Sequence, residues 1–538
     1  AAATGLEKVS NVTSTDSVTF DNVPNTVDVN LKSAVGTTTV DFGKAGLAGT
    51  ADAITVTVNG TNSTTLAFTD DDALQTVALE TITIASQSVP NTLADLQTTG
   101  VATSALHVTG DKLLTITAAL DAEILSIDAS GSSGGLSLGA APGFANATVV
   151  GSSGADTLTA APVGVTNLSL GAGNDTVDFD ATLTAADIVD GGDGTDTVTI
   201  SGGNLTAVSV VGGLSNVEIL KLDTAHTITL ESNIGPTTFD FTDATDQILN
   251  LNDGYTNATN VKISGDGTNA DSIINTAGVE LTVTGYVADF DGDTGTTITG
   301  GTGTDSLVMI NAATGTASLA ANITGVENIT ISDYTAGADP TLTIGAYTLD
   351  ATFVKSLTID ASSLDAGEVF TLGGASSVTR MNITSGAGAD ALTLGTLADT
   401  VDGGAGNDTI TGTAGSNVIT AGAGNDVVTA GTGAENISGG AGDDTFTLAG
   451  NLNSADTIDG GDGTDTLTIT SGITTASVMG GVSNIEVIQP LAALTITANG
   501  SLGGANSFDL SDDTDQVLTL TSAAAGGTYS GDTTVMLT

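Results

Sequence analysis

The chain has 538 residues with 71 Gly, no Cys and no Trp, and its 62 Asp+Glu against 8 Lys+Arg give a formal net charge of −54. Such a charge excludes nucleic-acid binding and a direct grip on an anionic membrane, and it imposes self-repulsion that cations must relieve. Glu stands at only 10 positions, so 52 of the acids are Asp, the acid that favours turns and ligates hard cations. A hydrophobic content of 40%, much of it Val, Ile and Leu in strand-like runs with Thr, argues for packed β structure over disorder. The absence of Cys fits an extracellular protein stapled by metal instead of disulfides. The sequence shows neither a cleavable N-terminal signal nor an apolar run of membrane-spanning length.

In chain order, residues 1–49 read as the start of a solenoid. Gly5-Leu6-Glu7-Lys8-Val9 matches a motif repeated at Gly213-Leu214-Ser215-Asn216-Val217-Glu218, Gly325-Val326-Glu327-Asn328-Ile329 and Gly481-Val482-Ser483-Asn484-Ile485-Glu486. The later copies follow a G-G-x-G-T-D unit and the first does not, which places the start inside a module whose earlier part is missing. Residues 50–120 read as a small α+β insertion: two strands, a helix over the stretch DDALQTVALETITIAS capped by Asp70, Asp71 and Asp72, and a return hairpin in ALHVTGDKLLTITA. Residues 121–299 form a first solenoid module. Its nonapeptide-like units offer Asp156, Asp175 and Asp196 as ligands, with Asp193 as a second carboxylate.

Residues 300–384 form a further module with Asp305 as candidate ligand, and Thr358-Ile359-Asp360-Ala361-Ser362 in it echoes Ser126-Ile127-Asp128-Ala129-Ser130. Residues 385–468 carry the strongest signal. From 385 to 447 the chain divides into seven consecutive units of the form G-G-x-G-x-D-x-U-x. The sixth position reads Asp390, Asp399, Asp408, Asn417, Asp426, Glu435 and Asp444, and the eighth reads Leu392, Val401, Ile410, Ile419, Val428, Ile437 and Phe446. Asp462 and Asp465 extend the series, and residues 469–538 form a C-terminal module. Residues 459–521 align with 190–252, so one long module occurs twice.

The physical content of the unit is direct. Glycines let the chain turn where a side chain would clash, and the carboxylate then sits beside turn carbonyls in a cage of oxygens suited to a hard cation. The eighth residue lies in a short strand facing inward, so units stacked about 4.8 Å apart bury a continuous apolar ladder. Oxygen ligands without Cys and with only two His select calcium over zinc or copper. A Gly-rich solenoid without metal is the alternative, but its stacked, unpaired aspartates would repel one another.

These units resemble the RTX nonapeptide repeats of proteins exported by type I secretion. The resemblance implies an all-β, right-handed parallel β-roll binding several Ca2+ between turns, with the sixth-position carboxylates as ligands and the carbonyls of Gly406, Gly424 and Gly442 beside them. Asn417 and Glu435 depart from aspartate and imply weaker sites. The scattered units and the repeated G-(V/L/I)-x-N-(V/I)-E and I-D-A-S motifs further resemble the calcium-dependent S-layer proteins of Gram-negative bacteria. That resemblance implies an extracellular, self-assembling surface lattice, exported without an N-terminal signal, with lipopolysaccharide anchoring left to a segment outside this sequence. The alternative is a calcium-stiffened stalk or binding region of a large RTX adhesin.

No enzyme is expected. His107 and His226 lack H-E-x-x-H, and His226 reads as a surface residue of an alternating strand. Gly131-Ser132-Ser133-Gly134-Gly135 satisfies G-x-S-x-G in a turn that lacks a strand-to-helix elbow.

Overall fold

The computed structural model describes residues 7–42, 47, 51–70, 78–98, 101, 103–139, 148–160, 165–179, 183–184, 186–201, 213–230, 235–242, 246–252, 255–263, 271–290, 296–311, 315–319, 322–333, 339–344, 356–374, 379–448, 452–470, 481–490, 495–499, 507–509, 517–521 and 534–536. The chain forms two units, Ala1–Asn257 and Ala258–Thr538. Among the described residues the one helical element is a single 3-10 turn, Val287–Phe290.

In the first unit, consecutive strands as far as Ile219–Leu222 alternate between two parallel sheets, and Thr227–Leu230 and Ile248–Leu251 pair in a third. One sheet runs Lys8–Val12, Asp28–Lys32, Ala53–Asn59, Thr81–Gln87, Ala105–Gly110, Ser126–Ser132, Thr148–Val150, Asn167–Ser169, Ile188–Asp190 and Leu214–Ser215. The intervening strands, from Val18–Val23 to Thr238–Asp240, stack in the same order in the second. A strand, a turn, a strand in the opposite sheet and a turn back make one coil of a β-solenoid. The second unit repeats the scheme, with one sheet from Thr259–Lys262 to Val482–Ser483 and another from Gly315–Leu319 to Thr534–Met536.

Register makes the core. The alternation of strand side chains turns every second residue inward, and parallel in-register pairing stacks it on its counterpart one coil on. Leu392, Ile410, Val428, Phe446, Leu467 and Ile488 form one such column, and Ile383, Val401, Ile419, Ile437 and Ile458 form the column facing it from the other sheet. None of these is more than 2% exposed. Each fully buried side chain contributes about 1.5–3 kcal/mol, so the columns hold the coils together without any one coil being stable alone.

Of the helix expected within the α+β insertion at 50–120, residues 71–77 lie outside the described residues and the remainder is not helical. Thr81–Gln87, assigned above to a helix, is a strand paired in parallel with Ala53–Asn59 and Ala105–Gly110, burying Ile82 and Ile84 at 0% exposure. The β-branched T-I-T-I run with its two-residue period decides this, and Glu80 binds the strand's turn to the coil before it by accepting from the Asp52 N–H at 2.7 Å. Asp70 ends the strand Thr64–Asp70, and Asp71 and Asp72 lie outside the described residues. The expected hairpin is also absent. Ala105–Gly110 and Leu114–Ile116 belong to opposite sheets and pair in parallel with neighbouring coils.

Glycine is obligatory where coils touch through backbone. Gly424 has φ +138°, and a Cβ there would lie 1.8 Å from the Gly406 carbonyl oxygen. The Gly424→Ala variant is expected to lose at least about 3 kcal/mol, read as a lower denaturant midpoint. Gly373 has nothing within 4 Å of its added Cβ, so Gly373→Ala should fall within about 0.5 kcal/mol of the parent.

Candidate metal centre

Two nine-residue units make one coil, so sixth-position residues 18 apart stack into columns on opposite edges of the roll. Asp390, Asp408, Asp426, Asp444 and Asp465 form the first column. Asp399, Asn417, Glu435 and Asp456 form the second. All are at most 2% exposed.

One oxygen of each side chain is structural. The backbone N–H groups of Asp390, Asp408, Asp426 and Asp444 each donate to Oδ1 of the next aspartate in the column at 2.8 Å. The first unit repeats this clip: Asp156 N–H to Asp175 Oδ1 at 2.7 Å, and Asp175 N–H to Asp196 Oδ1 at 2.8 Å. These bonds satisfy buried N–H groups in the turns, where the sheets supply no acceptor.

The second oxygen separates the candidates. At the head of each column the protein satisfies it: Asp156 Oδ2 accepts from the Ser152 N–H at 2.7 Å, Asp305 Oδ2 from Gly301 at 2.9 Å, and Asp399 Oδ2 from Gly395 at 2.9 Å. Asp390 Oδ2 accepts from the Ser385 hydroxyl and from the Gly386 N–H. In Asp175, Asp196, Asp408, Asp426, Asp444 and Asp465 the buried Oδ2 has no hydrogen-bond partner. Leaving a buried carboxylate oxygen unpaired costs about 1–3 kcal/mol or more, so four in register in the second unit and two in the first call for a common solution.

Burial pushes the carboxyls of Asp175 and Asp408 up to about 7 and those of Asp305 and Asp444 up to about 6, with neighbouring carboxylates adding to each rise. Asp426, Asp465 and Asp196 rise for the same first cause. A hard cation between coils answers both the unpaired oxygen and the accumulated charge. Among the described residues no three acidic or histidine side chains converge, so a cation here must draw most of its ligands from backbone carbonyls. Gly406, Gly424 and Gly442, the carbonyl donors expected above, lie in the turns, while the Oδ2 atoms of Asp408, Asp444 and Asp465 lie against Gly403, Gly439 and Gly460 beside the carbonyls of Ala421, Gly460 and Asn484. Gly406, Gly424 and Gly442 have positive φ, and the carbonyls of Gly406 and Gly424 point at the α-carbons of Gly424 and Gly442 one coil on. The donor set, all oxygen with one charged atom per coil, fits calcium.

The second column is built differently. Asn417 Oδ1 keeps the clip to the Asp399 N–H at 3.0 Å, while its amide Nδ2 lies 3.4 Å from the Ala414 carbonyl and turns a donor toward the turn. Both oxygens of Asp456 are engaged, by Glu435 N–H at 2.9 Å and Asn453 N–H at 2.7 Å. Glu435 Oε1 is the one buried, partnerless carboxylate oxygen on this side. The two departures from aspartate are therefore neighbours on one edge. Asp193 and Asp462 are exposed at the outside of their turns, apart from the columns.

Three acids that sequence reasoning passed over close the columns. Glu218, Glu327 and Glu486 accept through Oε2 from the N–H groups of Asp196, Asp305 and Asp465 at 2.8, 2.8 and 2.9 Å. This explains the recurring G-x-S-N-V-E motif, whose glutamate reaches the column from one residue further on. It also shifts the third copy: Gly325, at φ 73°, occupies the left-handed position of Asn216 (49°) and Asn484 (50°), not that of Gly213. Glu486→Ala is expected to cost about 1–3 kcal/mol by stranding the Asp465 N–H, and Glu486→Gln less than half of that, measured by chemical denaturation in calcium.

The residues weighed above for catalysis have the following surroundings. His226 is 2% exposed, contrary to the surface position expected for it; its ring bonds Thr224 Oγ1 at 2.9 Å, and burial lowers its pKa. Ser133 sits in the turn after Ser126–Ser132, with its N–H donating to the Gly110 carbonyl, and a strand, Leu136–Leu138, follows.

Comparison with protein families finds the RTX calcium-binding nonapeptide repeat in four copies, at residues 384–418, 395–428, 411–446 and 452–472. No curated protein and no solved structure matches the chain. The family match covers both columns of the second unit and stops short of Asp175 and Asp196, whose clip and unpaired Oδ2 atoms have the same arrangement. The chain is a parallel β-solenoid carrying RTX calcium-binding repeats.

Proposed function

We propose that this chain is a structural protein, not an enzyme, and that it self-assembles outside the cell into a calcium-dependent surface layer. The observation that carries this reading is the distribution of the solenoid itself: parallel coils continue through the described residues of both units, and the carboxylate column recurs in each. RTX repeats fit a secreted calcium-binding protein, and here they stiffen a scaffold without a compact domain beside it among the described residues. Calcium lowers the self-repulsion of a chain of net charge −54 and lets copies approach.

Negative-stain imaging of the purified chain in millimolar calcium tests the proposal. Ordered sheets or tubes that dissolve on chelation are expected. Single rods that never tile would overturn it in favour of an adhesin stalk.

A further inference from the structure

Within the second unit the two sheets present different outer surfaces. Eight strands, from Pro340–Ile344 to Val487–Pro490, stack in one of them. Their outward positions are mostly Thr, with Gly, Ala, Val and Gln at the rest; none is charged, and Thr468 alone among the Thr is buried. At its centre Thr409 and Thr411, Val427 and Thr429, and Thr445 and Thr447 form two straight columns. Val427 is 42% exposed there. The outer surface of the other sheet carries Lys262, Asp360, Arg380, Asp402 and Asp459.

An uncharged band is unexpected in a chain with 62 acids and 8 bases. Solubility alone would favour charges on outward strand positions. From the charge distribution we infer that this threonine face is a contact surface between two copies of the chain, an inference that rests on the self-assembly reading above. Two copies meeting through the outer surface of the opposite sheet bring Asp360, Asp402 and Asp459 against their counterparts; meeting here they bring no acid against acid. The face is also commensurate with itself: identical columns repeat at the strand spacing, so a twofold-related copy matches hydroxyl and methyl rows along the whole band. At about 34 Å by 10 Å, from the strand spacing and rise, it buries well under the roughly 1,200 Å² of a stable pair. A weak contact of this kind becomes firm only when each subunit makes several, which is the regime of a lattice.

The experiment uses the full chain in calcium. Thr411→Asp with Thr447→Asp puts charge on the face; Thr384→Asp with Thr420→Asp puts the same charge, at the same spacing, on the exposed outer surface of the opposite sheet. Sedimentation and imaging are expected to show the concentration needed for assembly rising by more than roughly tenfold for the first variant and little for the second, with unchanged circular dichroism in both. The chain has no Cys, so Val427→Cys adds a single probe that should form intermolecular disulfides in assembled but not in chelated protein. Unaltered assembly of the double variant, with no Val427→Cys cross-link, would overturn the inference while leaving self-assembly standing. Failure of the parent chain to associate would overturn both. Normal assembly with lost adherence to cells would assign the face to a surface glycan instead, and so also overturn it.

Discussion

In the absence of calcium, stability should fall as pH rises from about 4 to 7, and in its presence the slope should reverse. The unpaired Oδ2 atoms set the sign. Asp175 and Asp408 have folded-state values near 7 and Asp444 near 6, against an ordinary value of 3.8. Between those limits the calcium-free fold binds more protons than the unfolded chain does. Its stability is therefore fully present below about pH 4 and is lost as pH rises through 6 and 7. Repulsion among the remaining carboxylates adds in the same direction. Calcium binds the ionised carboxylates, so it competes with those protons and gains affinity as pH rises. Each occupied site adds about 2.7 kcal/mol at a hundredfold excess over its Kd, and several sites in one column raise Tm at pH 7.5 by more than about 10 °C. Thermal melts of calcium-depleted and calcium-saturated protein at pH 4.5, 6 and 7.5 read both slopes. Parallel slopes would mean the Oδ2 atoms are not the calcium ligands.

The contrast between the columns shows what the sequence makes legible. The nine-residue period places the coil, the inward Leu392-to-Ile488 ladder and the sixth-position acids, because backbone geometry maps period onto space without reference to distant residues. Residues 50–120 were opaque for the opposite reason. Their coils run to some 30 residues, as Gly36–Phe42 pairing with Thr64–Asp70 shows, and so carry no short repeat, while A-L-x-x-V-A-L-E mimics a helical face. The two-residue alternation of Thr81–Gln87 was the available signal. The split between satisfied and unpaired aspartates was not legible either. Asp390 and Asp408 share a motif and differ in that Asp390 Oδ2 accepts from the Ser385 hydroxyl and the Gly386 N–H, whereas Gly403 has no hydroxyl and the N–H of Gly404 donates to Asp402 Oδ1 instead. The sidedness of Asn417 and Glu435 does follow from counting, since alternate units fall on opposite edges of an 18-residue coil.

That sidedness leads to reciprocal substitutions. Asp426 Oδ1 accepts from the Asp408 N–H at 2.8 Å while Oδ2 is buried and partnerless. Asparagine keeps the acceptor and replaces the unpaired oxygen with a donor, the solution the protein already uses at Asn417. Asp426→Asn is thus expected to leave the calcium-free fold as stable as the parent or more so, and to remove the ions whose sites border it, with about 3 kcal/mol of calcium-dependent stabilisation. Asp426→Ala removes the clip as well and should cost about 1–3 kcal/mol with or without calcium. In the other direction, Asn417→Asp places a new carboxylate between Asp399 and Glu435, whose Oε1 is already unpaired, and should add calcium uptake on the second edge at the expense of calcium-free stability. Calorimetric titration of calcium-depleted protein gives the number of ions, and melts give the stability. If Asp426→Asn binds as many ions as the parent and Asn417→Asp gains none, the two columns do not differ in the way their oxygens indicate. If each moves as expected, the roll carries calcium chiefly along one edge, and the other edge holds its coils together with the protein's own amides and N–H groups.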